Sequence, residues 1–166
     1  MLTKKQQLEQ DKREQPTSII TKSLMTGFIG GLFWGFMGWF ASFFNFTSVS
    51  PATFMIRSWL NQDWTNGWLA ELLAIILIGV LSLAVAIIYY LLLKKLRGLW
   101  PSAIFGVVLW GIVFYVLLPI FPNISALNQL SGDTIVTTIC LFLLYGIFIG
   151  YSISYDYLDT VTKKNI

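Results

Sequence analysis

Residues Leu69–Leu93 read LAELLAIILIGVLSLAVAIIYYLLL; the basic turn Lys94-Lys95-Leu96-Arg97-Gly98 follows, and then Leu99-Trp100-Pro101-Ser102 opens another apolar run. The first run holds one charged residue, Glu71, in its opening turn. At a rise of about 1.5 Å per residue, a helix of this length exceeds the roughly 30 Å of hydrocarbon in a bilayer. Its apolar residues do not alternate with polar ones at a period of two, which rules out a barrel strand. Backbone groups in lipid must be satisfied inside the segment, and a helix does that. Two such runs joined by a short basic turn read as an antiparallel transmembrane hairpin.

Outward from this hairpin lie two further runs of the same kind, so the expected spans are about 24–46, 69–93, 100–121 and 134–154. The expected fold is all-α: a four-helix membrane bundle over residues 23–157, with a polar tail at 1–22 and a short tail at 158–166. In the first tail Pro16 is expected to break any helix. Composition agrees with the membrane reading. Hydrophobic residues make up 56% of the chain and charged ones 11%, against about 25% charged in a soluble domain. Mean hydropathy is +0.71. So few charges cannot cover a water-soluble globule, and lipid is the expected partner of the excess apolar surface.

The basic residues set an orientation. Lys4, Lys5, Lys12, Arg13 and Lys22 precede the first span, Lys94, Lys95 and Arg97 lie between the second and third, and Lys163 and Lys164 follow the fourth. Arg57 alone falls on the other side. The positive-inside rule places both termini and the short Lys94–Leu99 turn in the cytoplasm. Basic clusters beside apolar spans are a topology signal, so the pI near 9.0 does not point to nucleic acid. Trp59, Trp64 and Trp68 on one side and Trp100 on the other suit the headgroup region. Pro51, Phe54, Met55, Ile56, Trp59 and Leu60 form an apolar set expected to lie on the membrane as a short interfacial helix within 51–60.

The most specific pattern is a glycine ladder. Ser23, Gly27, Gly31 and Gly35 recur every four residues, Gly30 and Gly38 widen the face, and Gly146 and Gly150 repeat the spacing in the fourth span. Small residues at this spacing let a second helix approach closely, and in lipid close packing is what drives helix association. Gly27, Gly31, Gly35, Gly38, Gly146 and Gly150 are therefore the expected helix-packing residues. They would act within the bundle or between copies, or against another membrane protein. A weak repeat accompanies the ladder: Gly30, Trp34 and Gly35 match Gly106, Trp110 and Gly111 as G-x-x-x-W-G, which would fit a parallel duplication.

Chemistry-bearing residues are few. The middle of each span lacks Asp, Glu, Lys and Arg, whereas ion-coupled transport normally uses such a group at mid-depth. Glu71 and Arg57 are the candidate intramembrane or interfacial charges. The simpler role for Glu71 is a carboxylate at a helix N-terminus; the alternative is proton or cation handling with Arg57 or Asp63 nearby. Histidine is absent and Cys140 is the single cysteine, so neither a histidine base nor an internal disulfide is available. No metal-binding, nucleotide-binding or hydrolase motif occurs. No catalytic residue, metal or other cofactor is expected. Ser42, Asn45, Ser82, Thr137 and Thr138, with Tyr89 and Tyr90 in the second span and Tyr145, Tyr151, Tyr155 and Tyr157 along the fourth, are expected to hydrogen-bond between helices rather than line a path.

The charged N-terminal tail, Gly31-Leu32-Phe33-Trp34-Gly35 in the first span, Leu99-Trp100-Pro101-Ser102 at the start of the third, and the four-span layout together resemble the YqhR-type conserved membrane proteins of endospore-forming bacteria. The resemblance covers nearly the whole chain beyond the tail. It implies a multi-pass protein of the bacterial plasma membrane and adds no functional residue. The expected function is that of a non-enzymatic accessory or assembly protein working through helix packing. The alternative is a small transporter or channel subunit that builds its pathway as an oligomer.

Overall fold

The computed structural model describes residues 16–60, 62–96, 98–122 and 124–164. The expectations for residues 1–15 (with Lys4, Lys5, Lys12 and Arg13), for Arg97 and for the side chains of Lys163 and Lys164 lie outside the described residues. Among the described residues the regular structure is helical throughout: α1 (Pro16–Phe43), α2 (Pro51–Met55), α3 (Trp68–Leu93), α4 (Leu99–Gly111) and α5 (Gly132–Lys164), with short 3-10 turns at Asp63–Asn66, Leu118–Ile120 and Leu127–Gln129. Four segments are long and apolar enough to cross a membrane: Ile19–Phe43, Trp68–Leu93, Leu99–Ile120 and Gly132–Thr162. α1 already includes Pro16 and Lys22, ahead of the expected start at residue 24, and it stops at Phe43 before Asn45, whose φ is 60°. The fourth helix runs well past Ser154 to Lys164.

The third crossing is not a uniform helix. After Gly111 it widens into a π-helix, Ile112–Leu117, and closes as the 3-10 turn containing Pro119. Proline has no N–H to give to the carbonyl four residues back, and its ring crowds that carbonyl. The turn before it loosens as a result, a recognised origin of π-bulges and kinks.

Packing inverts the arrangement of a soluble globule. On α3, Ala70, Ala74, Gly79, Ser82 and Ala86 are buried, while Leu72, Leu73, Ile76, Leu77, Val80 and Leu81 are exposed. Small side chains face neighbouring helices and large apolar ones face outward, as expected where the surroundings are lipid. α1 lies against α3 and α5, α4 lies against α5, and α3 touches α5. One end of the bundle carries the described ends of α1 and α5 and the turn between α3 and α4, and is called the terminal end. The other, the loop end, carries α2 and the longer connections.

Candidate functional site

At the loop end, Ser50 caps α2 by accepting from Thr53 N, and Pro51 occupies the first turn where a missing N–H costs nothing. Glu71, in the first turn of α3, points into this cap. Its Oε1 accepts from Ser50 Oγ at 2.7 Å and from Arg57 Nη2 at 3.2 Å, and its Oε2 accepts from Ala52 N at 3.1 Å. Arg57 also donates through Nε to Thr65 O at 2.8 Å and through Nη1 to Thr53 Oγ1 at 3.0 Å. The carboxylate thus serves the α2 backbone and an arginine as well as opening its own helix, and the two candidate charges form one ion pair. Their side chains are 12% and 26% exposed, so the pair is largely removed from water.

The interfacial-helix expectation for 51–60 takes a different form in the structure. α2 ends at Met55, and its apolar residues turn toward the protein. Ala52 and Ile56 pack with Ala70 and Ala74, and Phe54 packs with Phe114, Leu118 and Ile124. Trp59 and Leu60 remain exposed. The Glu71–Arg57 pair holds the segment down on the bundle, a long-range anchor that apolar periodicity cannot reveal.

Inside the bundle, the glycines meet specific walls. A Cβ added to Gly31 would lie 2.5 Å from Ser82 Cβ and 2.8 Å from Gly79 Cα, and one on Gly27 would lie 2.6 Å from Ala86 Cβ. Such distances leave room only for hydrogen. A second close crossing joins α4 to α5, where a Cβ on Gly146 would collide with Gly106 Cα and one on Gly150 with Ser102 Oγ. Gly35 makes ordinary contacts at 3.5 Å and Gly38 meets only Pro51 at 3.8 Å, so these two sit on the ladder's face without being tight. Gly106, singled out only through the weak repeat, belongs with the tight set.

The two copies of G-x-x-x-W-G have unlike surroundings. Gly30 abuts Phe148 and Ile149, whereas Gly106 abuts the backbone of Phe142 and Leu143; Gly35 faces Ile75 and Gly111 faces open space. Trp110 Nε1 donates to Thr138 Oγ1 at 3.0 Å, while Trp34 Nε1 is buried without a partner. The match in sequence does not carry over into equivalent packing.

Polar side chains tie the crossings. Ser82 Oγ donates to Gly27 O at 2.5 Å and is also hydrogen-bonded to Tyr145 OH, linking α1, α3 and α5. Tyr89 OH lies 3.2 Å from both Ser102 Oγ and Ser154 Oγ, linking α3, α4 and α5. Tyr89, Tyr145, Ile149 and Ile153 are buried together with Ala86 as the central cluster. Thr134 Oγ1 accepts from Ser48 N at 2.9 Å, and Thr137 Oγ1 donates to Phe46 O at 3.1 Å, fastening the first loop to α5. Cys140 is exposed on α5.

At the terminal end a groove of about 440 Å³ runs between Gly98 and the last turns of α5, lined by Tyr151, Tyr155, Leu158, Asp159 and Thr162. Those side chains recur at helical spacing on a single face. Nearby, Lys94 Nζ stands 4.2 Å over the Tyr90 ring and 5.1 Å over the Tyr157 ring. Sequence reading treated these tyrosines as one undivided set. The heptad-like spacing 151, 155, 158, 162 was the signal available to separate them.

The family model for "Conserved membrane protein YqhR" matches residues 3–166. The chain is also 40% identical over 169 residues to "Uncharacterized protein YqhR" of Bacillus subtilis (strain 168), covering 99% of this chain and 94% of that one. No solved structure matches. The chain belongs to the YqhR family of conserved membrane proteins.

Proposed function

We propose that this YqhR-family chain is a multi-pass protein of the bacterial cell membrane, with the terminal end in the cytoplasm, and that it acts without catalysis as an accessory or assembly protein. The observation that carries the reading is how the interior polar groups are used. Ser82, Tyr145, Tyr89, Ser102 and Ser154 bind one another across helices at points where glycines bring backbones together. Glu71, the one charged side chain within the second span, is occupied by Ser50, Ala52 and Arg57. Groups engaged in this way hold the bundle closed. The working surface is then the outside of the molecule, reached by a neighbouring membrane protein. The orientation rests on the clustering of lysine and arginine at the terminal end.

In-cell cross-linking of a tagged full-length chain, followed by purification in mild detergent and mass spectrometry, tests this. A different membrane protein recovered reproducibly, and lost when the cross-linker is omitted under stringent washing, supports the accessory role. Recovery of the chain alone, as an oligomer of defined size, overturns it in favour of a transporter or channel subunit built from several copies.

A further inference from the structure

We propose that the first loop is a strap that sets the helical register of the third crossing: Glu71 clasps α2 to α3, Phe54 then holds the Ile112–Leu117 turn in its π form, and release of the clasp lets that turn relax. The inference concerns the chain itself and is independent of the partner reading above. The strap's ends and middle are held by different contacts. One end is tied to α5 through Ser48 N on Thr134 Oγ1 and Thr137 Oγ1 on Phe46 O. The other leads through the Asp63–Asn66 turn directly into α3. Between them α2 is five residues long, too short to persist as a helix on its own. Glu71 holds it to α3 by accepting from Ser50, Ala52 and Arg57, and Ala52 and Ile56 pack against Ala70 and Ala74.

Phe54, two residues from both Ala52 and Ile56, points to a different neighbour. Its ring lies 4.3 Å from Phe121 and 5.9 Å from Phe114, and Leu118 and Ile124 share the same buried cluster. This seat depends on register. Trp110, Phe114 and Leu118 all pack in that cluster, and they follow one another at steps of four. In an α-helix of 3.6 residues per turn each such step drifts by about 40°, so Leu118 would stand about 80° off the line of Trp110. The wider π turn keeps all three on the face that receives Phe54. Pro119 loosens this turn but does not choose which side chains point inward. The Phe54 ring, seated beside Phe114 and Phe121, makes that choice. Gly111, just ahead of the turn, has nothing within 4 Å of an added Cβ, so the helix has room to rotate there. Among the described residues the side-chain hydrogen bonds of Glu71 all go to the strap. An effect of Glu71 on the third crossing must therefore travel through α2 and Phe54.

Hydrogen exchange of the full-length protein in mild detergent, resolved by mass spectrometry of its peptides, tests the coupling. Glu71→Gln keeps the shape of the side chain and removes its charge. The amides of 51–57 and of 112–121 should then both exchange about tenfold faster, as expected when one partner of a largely buried pair is lost and the segment opens more often. Phe54→Ala should speed 112–121 by a similar factor, and Phe54→Leu should do so less, which keeps the test open if the alanine variant fails to fold. In each variant 145–153, within the central cluster, should keep the parent's protection and so report an intact bundle. Faster exchange confined to 51–57 in Glu71→Gln, or no change in either segment, would overturn the proposal. Unchanged exchange of 112–121 in the Phe54 variants would overturn it as well, leaving the π turn to Pro119 alone.

Discussion

Glu71 draws its three donors from a cap serine, a backbone amide and an arginine, which places four parts of the first loop and α3 in one small network. Such a group does far more than a carboxylate at the head of its own helix, a position that contributes only about 0.3–1 kcal/mol. Removing one partner of a buried pair leaves the other charge unpaired, which in fully buried settings costs about 3–5 kcal/mol. Arg57 is 26% exposed and can recover some water, so Glu71→Ala is expected to cost about 2 kcal/mol. Arg57→Ala should cost a similar amount, and the double variant distinctly less than the two together, because the two side chains share one interaction. Thermal unfolding of the four proteins in the same detergent checks this. Additive losses would mean that the pair contributes nothing as a pair. Neither the Ser50 nor the Ala52 bond was legible in the sequence. Glu71 and Arg57 stood out because charges are scarce, but loop geometry alone decides that they meet.

Helices in this molecule cross where glycine removes the side chain, and the ladder's period of four announced that much. It could not announce which rungs are tight. Gly27 and Gly31 oppose Ser82, Ala86 and Gly79, whereas Gly38 meets only Pro51, because the helices diverge toward the loop end and α2 enters the gap. The second crossing was half visible: Gly146 and Gly150 carry the spacing, and their counterparts Ser102 and Gly106 also stand four apart, a single serine–glycine pair that the ladder reading passed over. The π-helical turn before Pro119 was likewise hidden, since a proline near a span's end reads as a stop and its effect on the preceding turn depends on packing. These differences give a paired prediction. Gly31→Leu should force α1 and α3 apart and lower stability by at least about 2 kcal/mol, within the usual cost of overpacking or more. Gly111→Ala places its methyl where nothing lies within 4 Å and exchanges glycine for the best helix former, so it should stabilise by up to about 1 kcal/mol. Detergent melts of both variants decide the matter; a Gly31→Leu protein as stable as its parent would remove the tight crossing from the account.

For the molecule as a whole, two asymmetries do separate work. Small and polar residues inside, with leucine, isoleucine and phenylalanine outside, fix the bundle in lipid, and this was legible because composition and span length already excluded a soluble fold. Of the described lysines at that end, Lys22 and Lys95 are exposed, and Lys94 packs over the Tyr90 and Tyr157 rings without joining the central cluster. Their expected effect is on orientation during insertion. That separation makes orientation testable without disturbing the fold. In a Cys140→Ser background, cysteines introduced at Asn128 and at Thr162 occupy exposed polar positions at the loop end and the terminal end respectively. A membrane-impermeant maleimide should label Asn128→Cys in intact cells and Thr162→Cys only after lysis. The reverse pattern would invert the molecule, and labelling of both in intact cells would mean two orientations coexist. Either outcome would move the terminal end to the outer side in some or all copies and overturn the cytoplasmic placement drawn from the basic residues.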